Sequence, residues 1–334
     1  MSGAVPSGFL ALPSVDAALA REVQEDLEKV EALLHESVEA SDPLLTEAAG
    51  HLLAAGGKRF RATLVLLAAR FGDPAVPELI QAAAVVELTH VATLYHDDVM
   101  DEAEMRRGEP SANQRWGNTV AILTGDYVFA RASEILADLG TDAVRMQART
   151  FGRLVQGQIL ETAGPAEGAD PLGHYMQVIA DKTASLIASS AEFGATFGGA
   201  EPEITATLTR ACDALGTAFQ LSDDILDVAS ESADSGKVPG TDLREGVLTL
   251  PMFHALRGTD PADERLRSLL GRPLSEAETE EALALLRPHP AMAEARADLQ
   301  GWADKARAEL ASLPEGPARD AFESLCDYVV ERSG

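Results

Sequence analysis

Two stretches of this chain end a long apolar run in the same way. Residues 87–108 read ELTHVATLYHDDVMDEAEMRRG, and residues 219–228 read FQLSDDILDV. The first follows a run from Leu79 to Leu94 that is apolar enough to be a buried helix. Asp97, Asp98 and Asp101 therefore stand at the end of a core helix, where a merely solvated face would be odd. Asp223, Asp224 and Asp227 repeat the spacing at the end of a second apolar run. Two acid clusters carried on the ends of two core helices constrain the fold and the chemistry together.

The geometry of a helix gives the first chemical hint. At ~100° per residue, positions four apart share a face with Cβ atoms ~6 Å apart. Asp97 and Asp101 share such a face, and His90 lies on the same side earlier in the run. Two carboxylates at ~6 Å repel by roughly 3 kcal/mol at an effective dielectric of ~20. Such a site asks for a cation, and all-oxygen ligands select Mg²⁺ or Ca²⁺ over softer metals. His96 directly precedes Asp97, but a set of oxygen donors makes it a supporting residue rather than a ligand.

Charge narrows the partners. The chain carries 54 acidic and 27 basic side chains, for a formal net charge of −27. Nucleic acid and anionic membrane surfaces are poor partners for such a surface. The basic residues that do cluster then carry more meaning. Cys212 and Cys326 both lie in apolar helical runs and read as reduced core residues of a cytoplasmic protein. The start, MSGAVPSGFLALP, lacks the pattern of a signal peptide, and no segment has the length of an apolar membrane span. No stable membrane insertion is expected.

The chain reads as all-α. Residues 1–13 form a loose Gly/Ser/Pro tail, and residues 14–334 a single domain. Leu19, Val23, Leu27, Val30 and Leu34 make an amphipathic helix of Val15–Val38. Ser41-Asp42-Pro43 restarts a helix that ends at Gly56-Gly57. Lys58-Arg59-Phe60-Arg61 then opens the next helix, and glycines followed by cations at a helix start suit an anion. The central helix is Glu78–Met100, followed by helices at about 119–139 and 142–162. A run from Pro171 passes through Asp181-Lys182-Thr183 to Phe197, and the next, Glu203–Val228, ends in the second acid cluster. The break from Ser230 to Leu243 has the composition of a mobile lid. Helices resume at Thr249 and close near Arg332. With no alternating strand and no dividing linker, one bundle of roughly a dozen helices is the economical reading.

The two acid clusters could face each other across a helix-lined cavity. Carboxylates cannot hold a phosphate directly, but divalent metals bridge the two. The substrate is then a diphosphate, which bound metals turn into a better leaving group. Lys58, Arg61, Arg106 and Arg107 could hold a second diphosphate without metal. Cavity walls of Leu, Ala, Val and Met imply a hydrocarbon for the organic part, and diphosphate departure in a dry apolar cavity points to carbocation chemistry.

In combination these motifs resemble the trans-isoprenyl diphosphate synthases of the polyprenyl synthetase family, nearly end to end. The resemblance is carried by GGKRFR at 56–61, the stretch from Glu87 to Asn118, GDY at 125–127 and GQILE at 157–161. It continues in DKTASL at 181–186, FQLSDDILD at 219–227, GKVPGTDLREGVLTLP at 236–251 and the terminal YVVER. It implies the isoprenoid synthase fold, a helical bundle around a deep apolar cavity, and a homodimer. Asp97, Asp98 and Asp101, with Asp223, Asp224 and Asp227, would hold a Mg²⁺ cluster on an allylic diphosphate. Arg106, Lys182 and Lys237 would contact that diphosphate. Lys58, Arg61, His90 and Arg107 would hold isopentenyl diphosphate, while Thr183 and Gln220 would line the reacting carbons and stabilise a cation. The reaction implied is ionisation, condensation and elimination.

One departure is Val247, where the family often has lysine, so one cation contact to the allylic diphosphate is missing. In this family the residues four and five before the first aspartate motif help set product length, and a bulky aromatic there resembles the short-chain enzymes. Here they are Ala92 and Thr93, so the expected product is a medium- to long-chain all-trans polyprenyl diphosphate. Phe129, Met146 or Phe151 could form a deeper floor, and geranylgeranyl diphosphate is the alternative product. An HD-type metal phosphohydrolase could use His51 and His96-Asp97, but it leaves GGKRFR and the second acid motif without purpose. A class I terpene cyclase usually carries Asn, Ser or Thr with Glu in its second motif. A non-catalytic subunit would tend to lose aspartates that are intact here.

Overall fold

The computed structural model describes residues 14–230 and 239–332. The expected tail, and Lys237 with most of the expected lid, lie outside these residues. The chain forms helices α1 (Ala17–Ser37), α2 (Pro43–Ala54), α3 (Phe60–Ala68), α4 (Glu78–Met100), α5 (Ala112–Trp116) and α6 (Asn118–Leu139). There follow α7 (Thr141–Ala163), α8 (Pro171–Ile179), α9 (Ser185–Phe197), α10 (Pro202–Ala229) and α11 (Thr241–Glu245). The last are α12 (Leu250–Arg257), α13 (Glu264–Leu269), α14 (Glu276–Leu286), α15 (Pro290–Leu310) and α16 (Pro317–Glu331). The fold is all-α. Among the described residues the strands are only β1 (Met105–Arg106) and β2 (Glu109–Pro110), a minimal antiparallel hairpin. No helix among them is long and apolar enough to cross a membrane.

Backbone packing gathers the chain into two compact units, interleaved in sequence. The first comprises Met1–Gly152, Leu186–Arg210 and Ser312–Ser324, and the second Arg153–Ser185, Ala211–Ala311 and Leu325–Gly334. The first acid motif belongs to the first unit and the second motif to the second.

In the first unit, α1 buries the expected stripe of Leu19, Val23, Leu27, Val30 and Leu34. Asp16 caps it by accepting the N–H groups of Ala18 and Leu19 at 3.0 and 2.8 Å. Helix α4 is buried on every side along Ala82–Thr89, the behaviour of a helix without a polar face. It packs closely on α6 because Gly125 has no side chain. A Cβ there would lie 2.4 Å from His96 Nε2 and 3.1 Å from the Ala92 carbonyl.

In the second unit, the run expected to be continuous from Pro171 to Phe197 is interrupted. Residues Ala180–Ala184 form a π-helical turn between α8 and α9. Such one-turn bulges widen the helix locally and recur at functional sites. The expected break also ends earlier than its composition suggests. Residues 241–245 are helical, and Asp227 caps that turn by accepting the N–H groups of Thr241 and Asp242 at 3.1 and 3.2 Å.

Candidate active site

The first acid motif closes α4. Asp98 is fully buried, Asp97 is half-buried and Asp101 is exposed at the C-cap. The next residues fold back onto the helix end. Arg107 and Gly108, the two central residues of the β1–β2 hairpin, both have positive φ, 55° and 81°, as a tight two-residue hairpin turn demands. Glycine takes this freely; Arg107 adopts it at a cost of about 1–2 kcal/mol. The turn aims both arginines inward. Arg106 Nε donates to Asp98 Oδ1 at 2.6 Å, while Arg107 Nη1 donates to the carbonyls of Leu52, at 2.7 Å, and Gly56. Burial pushes the Asp98 carboxyl up, the Arg106 charge opposes this, and Asp101 adds to it.

Behind this rim lies a cluster of cations. Arg59 is 4% exposed and forks onto Glu31 at 2.6 and 2.8 Å. Burial, and then the charges of Arg61, Arg107, Arg106 and Arg59, hold the His90 imidazole well below its usual range. His90 is therefore neutral, and four guanidinium groups act on it. Burial and the neighbouring Arg59 likewise push the Arg107 guanidinium below its ordinary value. Groups of one sign brought this close favour an anion in their midst. Gly57 makes room for them, since a Cβ there would lie 2.9 Å from Arg59 Nη1 and 3.1 Å from Arg107 Nη1.

The start of α3 differs from expectation in one respect. The N–H of Ala62 is already taken by the buried carboxylate of Glu87, at 3.0 Å. The helix terminus is thus partly capped from within, which leaves fewer backbone N–H groups there for an anion. Lys58 is exposed and Arg61 half-buried. His96 serves packing: its Nε2 lies 3.1 Å from the Ile122 carbonyl on α6 and 3.4 Å from Asp126. His51 is also committed. Its Nε2 lies 2.8 Å from the Pro110 carbonyl, its Nδ1 faces Arg115 at 3.4 Å, and its ring meets Trp116 edge-on. That removes the histidine a phosphohydrolase reading needs. Ala92 is buried and Thr93 half-buried, its hydroxyl donating to the His90 carbonyl at 2.8 Å. The rings of Phe129 and Phe151 meet at 4.3 Å between centroids, tilted by 57°, and Met146 is buried.

In the second unit the π-turn displays Lys182 and Thr183. Lys182 pairs with Glu161 of α7, and Thr183 Oγ1 donates to Gln220 Oε1 at 3.0 Å. The buried Asp181 anchors the turn by accepting from Arg153 at 2.9 Å and Gln177 at 2.6 Å. Gly157 lets α7 reach it, because a Cβ there would lie 2.6 Å from the Lys182 nitrogen. On α10, Asp224 is buried and accepts from Gln220 Nε2 at 2.8 Å and from the Tyr175 hydroxyl. Burial pushes its carboxyl up to about 7 against those hydrogen bonds, with Asp223 and Asp227 adding to the rise. Asp223 is held from the chain's end by Arg332. Arg332 Nη1 lies 3.0 Å from Asp223, Nε donates to Ser222 and Nη2 to the Phe219 carbonyl, and the guanidinium covers the Phe219 ring at 4.1 Å. Val247 is 44% exposed.

Glu31, Glu87, Gly157, Glu161, Tyr175, Asp181 and Arg332 thus join the residues read from sequence. Glu87, Gly157, Glu161, Asp181 and Arg332 stood inside quoted motifs without a role assigned to them, while Glu31 and Tyr175 stood in none.

The donors fit a hard divalent cation. All are oxygens, and Asp98 Oδ2 is buried with no hydrogen-bond partner. Among the described residues no three metal-binding side chains close into a ready-made cage. Mg²⁺ commonly takes one or two carboxylates and completes its shell with water and substrate phosphates, so an open acidic rim suits it.

Known proteins similar in sequence and fold point to one family. Residues 42–286 match the family described as polyprenyl synthetase. The chain is similar to nonaprenyl diphosphate synthase of Mycobacterium tuberculosis, 49% identical over 96% of both chains. It resembles the crystal structure of a geranylgeranyl pyrophosphate synthase from Corynebacterium glutamicum complexed with calcium and isoprenyl diphosphate. That match has 44% identity and a TM-score of 0.86, over 96% of this chain and 98% of the other. A decaprenyl diphosphate synthase from Rhodobacter capsulatus matches with 38% identity and a TM-score of 0.86, over 95% of this chain and 99% of the other.

Proposed function

The chain belongs to the polyprenyl synthetase family, and from that premise we propose that it elongates an allylic diphosphate with isopentenyl diphosphate. The product is an all-trans polyprenyl diphosphate of medium to long chain. The observation that carries this reading is the separation of charge. Arginines crowd a neutral His90, and acids line the ends of α4 and α10. One diphosphate is then held by cations alone, and the other through metal.

Lys58, Arg61, His90 and Arg107 hold isopentenyl diphosphate, with His90 a neutral hydrogen-bonding partner that adds no charge. Asp97, Asp98, Asp101, Asp223 and Asp227 would hold Mg²⁺, which neutralises the allylic diphosphate and makes it a better leaving group. Lys182, Arg106 and Lys237 contact that same diphosphate. In the chain alone Lys182 rests on Glu161 and Arg106 on Asp98, so each has a resting partner to exchange for substrate. The allylic C–O bond breaks and its electron pair leaves on the diphosphate. The isopentenyl double bond then supplies the pair for the new C–C bond. Loss of a neighbouring proton to the departing diphosphate restores a double bond. Thr183 and Gln220 turn their oxygens to the cation.

A homodimer is part of this proposal. Helix α6 exposes Leu123 at 60% and Ile122 at 42%, adjacent large apolar side chains of the kind a second copy would cover.

The test is incubation with isopentenyl and farnesyl diphosphates, with and without Mg²⁺, reading product masses. Mg²⁺-dependent products longer than geranylgeranyl diphosphate are expected. A stop at geranylgeranyl diphosphate would place a floor close to the first motif. Absence of any condensation would contradict the activity.

A further inference from the structure

A chain of hydrogen bonds in the second unit has a fixed direction. The Tyr175 hydroxyl donates to Asp224 Oδ2, Gln220 Nε2 donates to Asp224 Oδ1 at 2.8 Å, and Thr183 Oγ1 donates to Gln220 Oε1 at 3.0 Å. In its ionised form the Asp224 carboxylate only accepts. With Asp224 on one side of it, the Gln220 amide must turn its NH₂ that way and its carbonyl toward Thr183. Thr183 then commits its proton to that carbonyl and keeps its oxygen lone pairs for what lies beyond. Reversing the amide would reverse both dipoles.

We propose that Asp224 is a positioning residue rather than a metal ligand: backed by Tyr175, it fixes the Gln220 amide so that oxygens face the electron-deficient carbon. The inference rests on the prenyl-transfer reading and refines it. Burial and bonding together support it: Asp224 is 6% exposed and carries a hydrogen bond on each oxygen, whereas the buried Asp98 keeps Oδ2 without a partner and Asp223 and Asp227 are only half-buried. Fixed dipoles aimed at developing charge act without reorganising, and each such group is worth about 10²-fold or more in rate.

Two substitutions at one position separate the possible roles. Asp224→Asn is nearly isosteric; its oxygen stays on the Tyr175 hydroxyl, and its NH₂ faces Gln220 and forces the amide over. Asp224→Ala leaves the amide free to choose. The expected order of kcat is wild type, then alanine, then asparagine, with asparagine down about 10²-fold. The KM for isopentenyl diphosphate should not change. Tyr175→Phe, which keeps the ring, should lower kcat by a smaller factor. Mn²⁺ binding in the presence of inorganic diphosphate should stay within about 10-fold of wild type in all three.

A packing role predicts the opposite order, with alanine worse than the isosteric asparagine, and that result would overturn the proposal. So would a loss of Mn²⁺ affinity in the asparagine variant that matches its loss of rate, since that marks a ligand. The Mn²⁺ arm needs no turnover, so it judges this inference even if the wild type fails to condense isoprenyl diphosphates, a failure that would fall on the activity itself.

Discussion

Asp97 and Asp98 are neighbours in sequence and face different surroundings, and Asp223 and Asp224 repeat the contrast. In each pair the second acid is buried, against Arg106 in one case and against Gln220 and Tyr175 in the other. The cause is the helical step of ~100°, which turns the second acid toward the core while the first and fifth share the outer face. Sequence spacing gave the shared face but not the partners. Those come from residues far along the chain, and Arg332 is the most distant. Removing it should loosen Asp223, because the partners that orient a metal ligand are worth 10–100-fold in affinity. Arg332→Ala is expected to raise the Mg²⁺ concentration for half-maximal rate by about 10-fold, measured by metal titration at saturating substrates. Arg332→Lys should recover little, because an ammonium cannot reach Asp223, Ser222 and the Phe219 carbonyl as a fork does.

The helices themselves were largely legible, because most announce themselves by period and α2 by the Ser41-Asp42-Pro43 start, where Asp42 does cap. Two features at the level of elements were not. The π-turn at Ala180–Ala184 leaves the hydrophobic pattern intact and merely adds a residue to the ring, so periodicity passes over it. The cap on α3 comes from Glu87, a carboxylate buried in α4, and reads in sequence as one more polar interruption. Helices α4, α6 and α7 carry the residues proposed to set product length. Gly125 brings α6 against the backbone of Ala92, and Phe129 follows it by one turn, ~5.4 Å along the axis, its ring tilted against Phe151. This pair is the proposed floor below Ala92 and Thr93. Phe129→Ala should lengthen the products by at least one isoprene unit, read by mass. It should also cost about 2–4 kcal/mol of stability, read from the melting temperature.

At the scale of the whole molecule, a net charge of −27 makes the arginine cluster around His90 an exception that needs a reason. The proposed binding of one diphosphate by cations would supply that reason. The exposed Ile122 and Leu123 of α6 carry a second expectation at this scale. Leu123→Glu should shift the protein from dimer to monomer in light scattering, because burying an unpaired carboxylate across a two-fold contact is costly twice over. The most direct measurement is calorimetric binding of isopentenyl diphosphate and of a non-ionising allylic diphosphate analogue, each with Mg²⁺ and with a chelator. The division of charge predicts that isopentenyl diphosphate binds in both conditions and that the allylic analogue binds only with Mg²⁺. Equal dependence on Mg²⁺ for both ligands would contradict it.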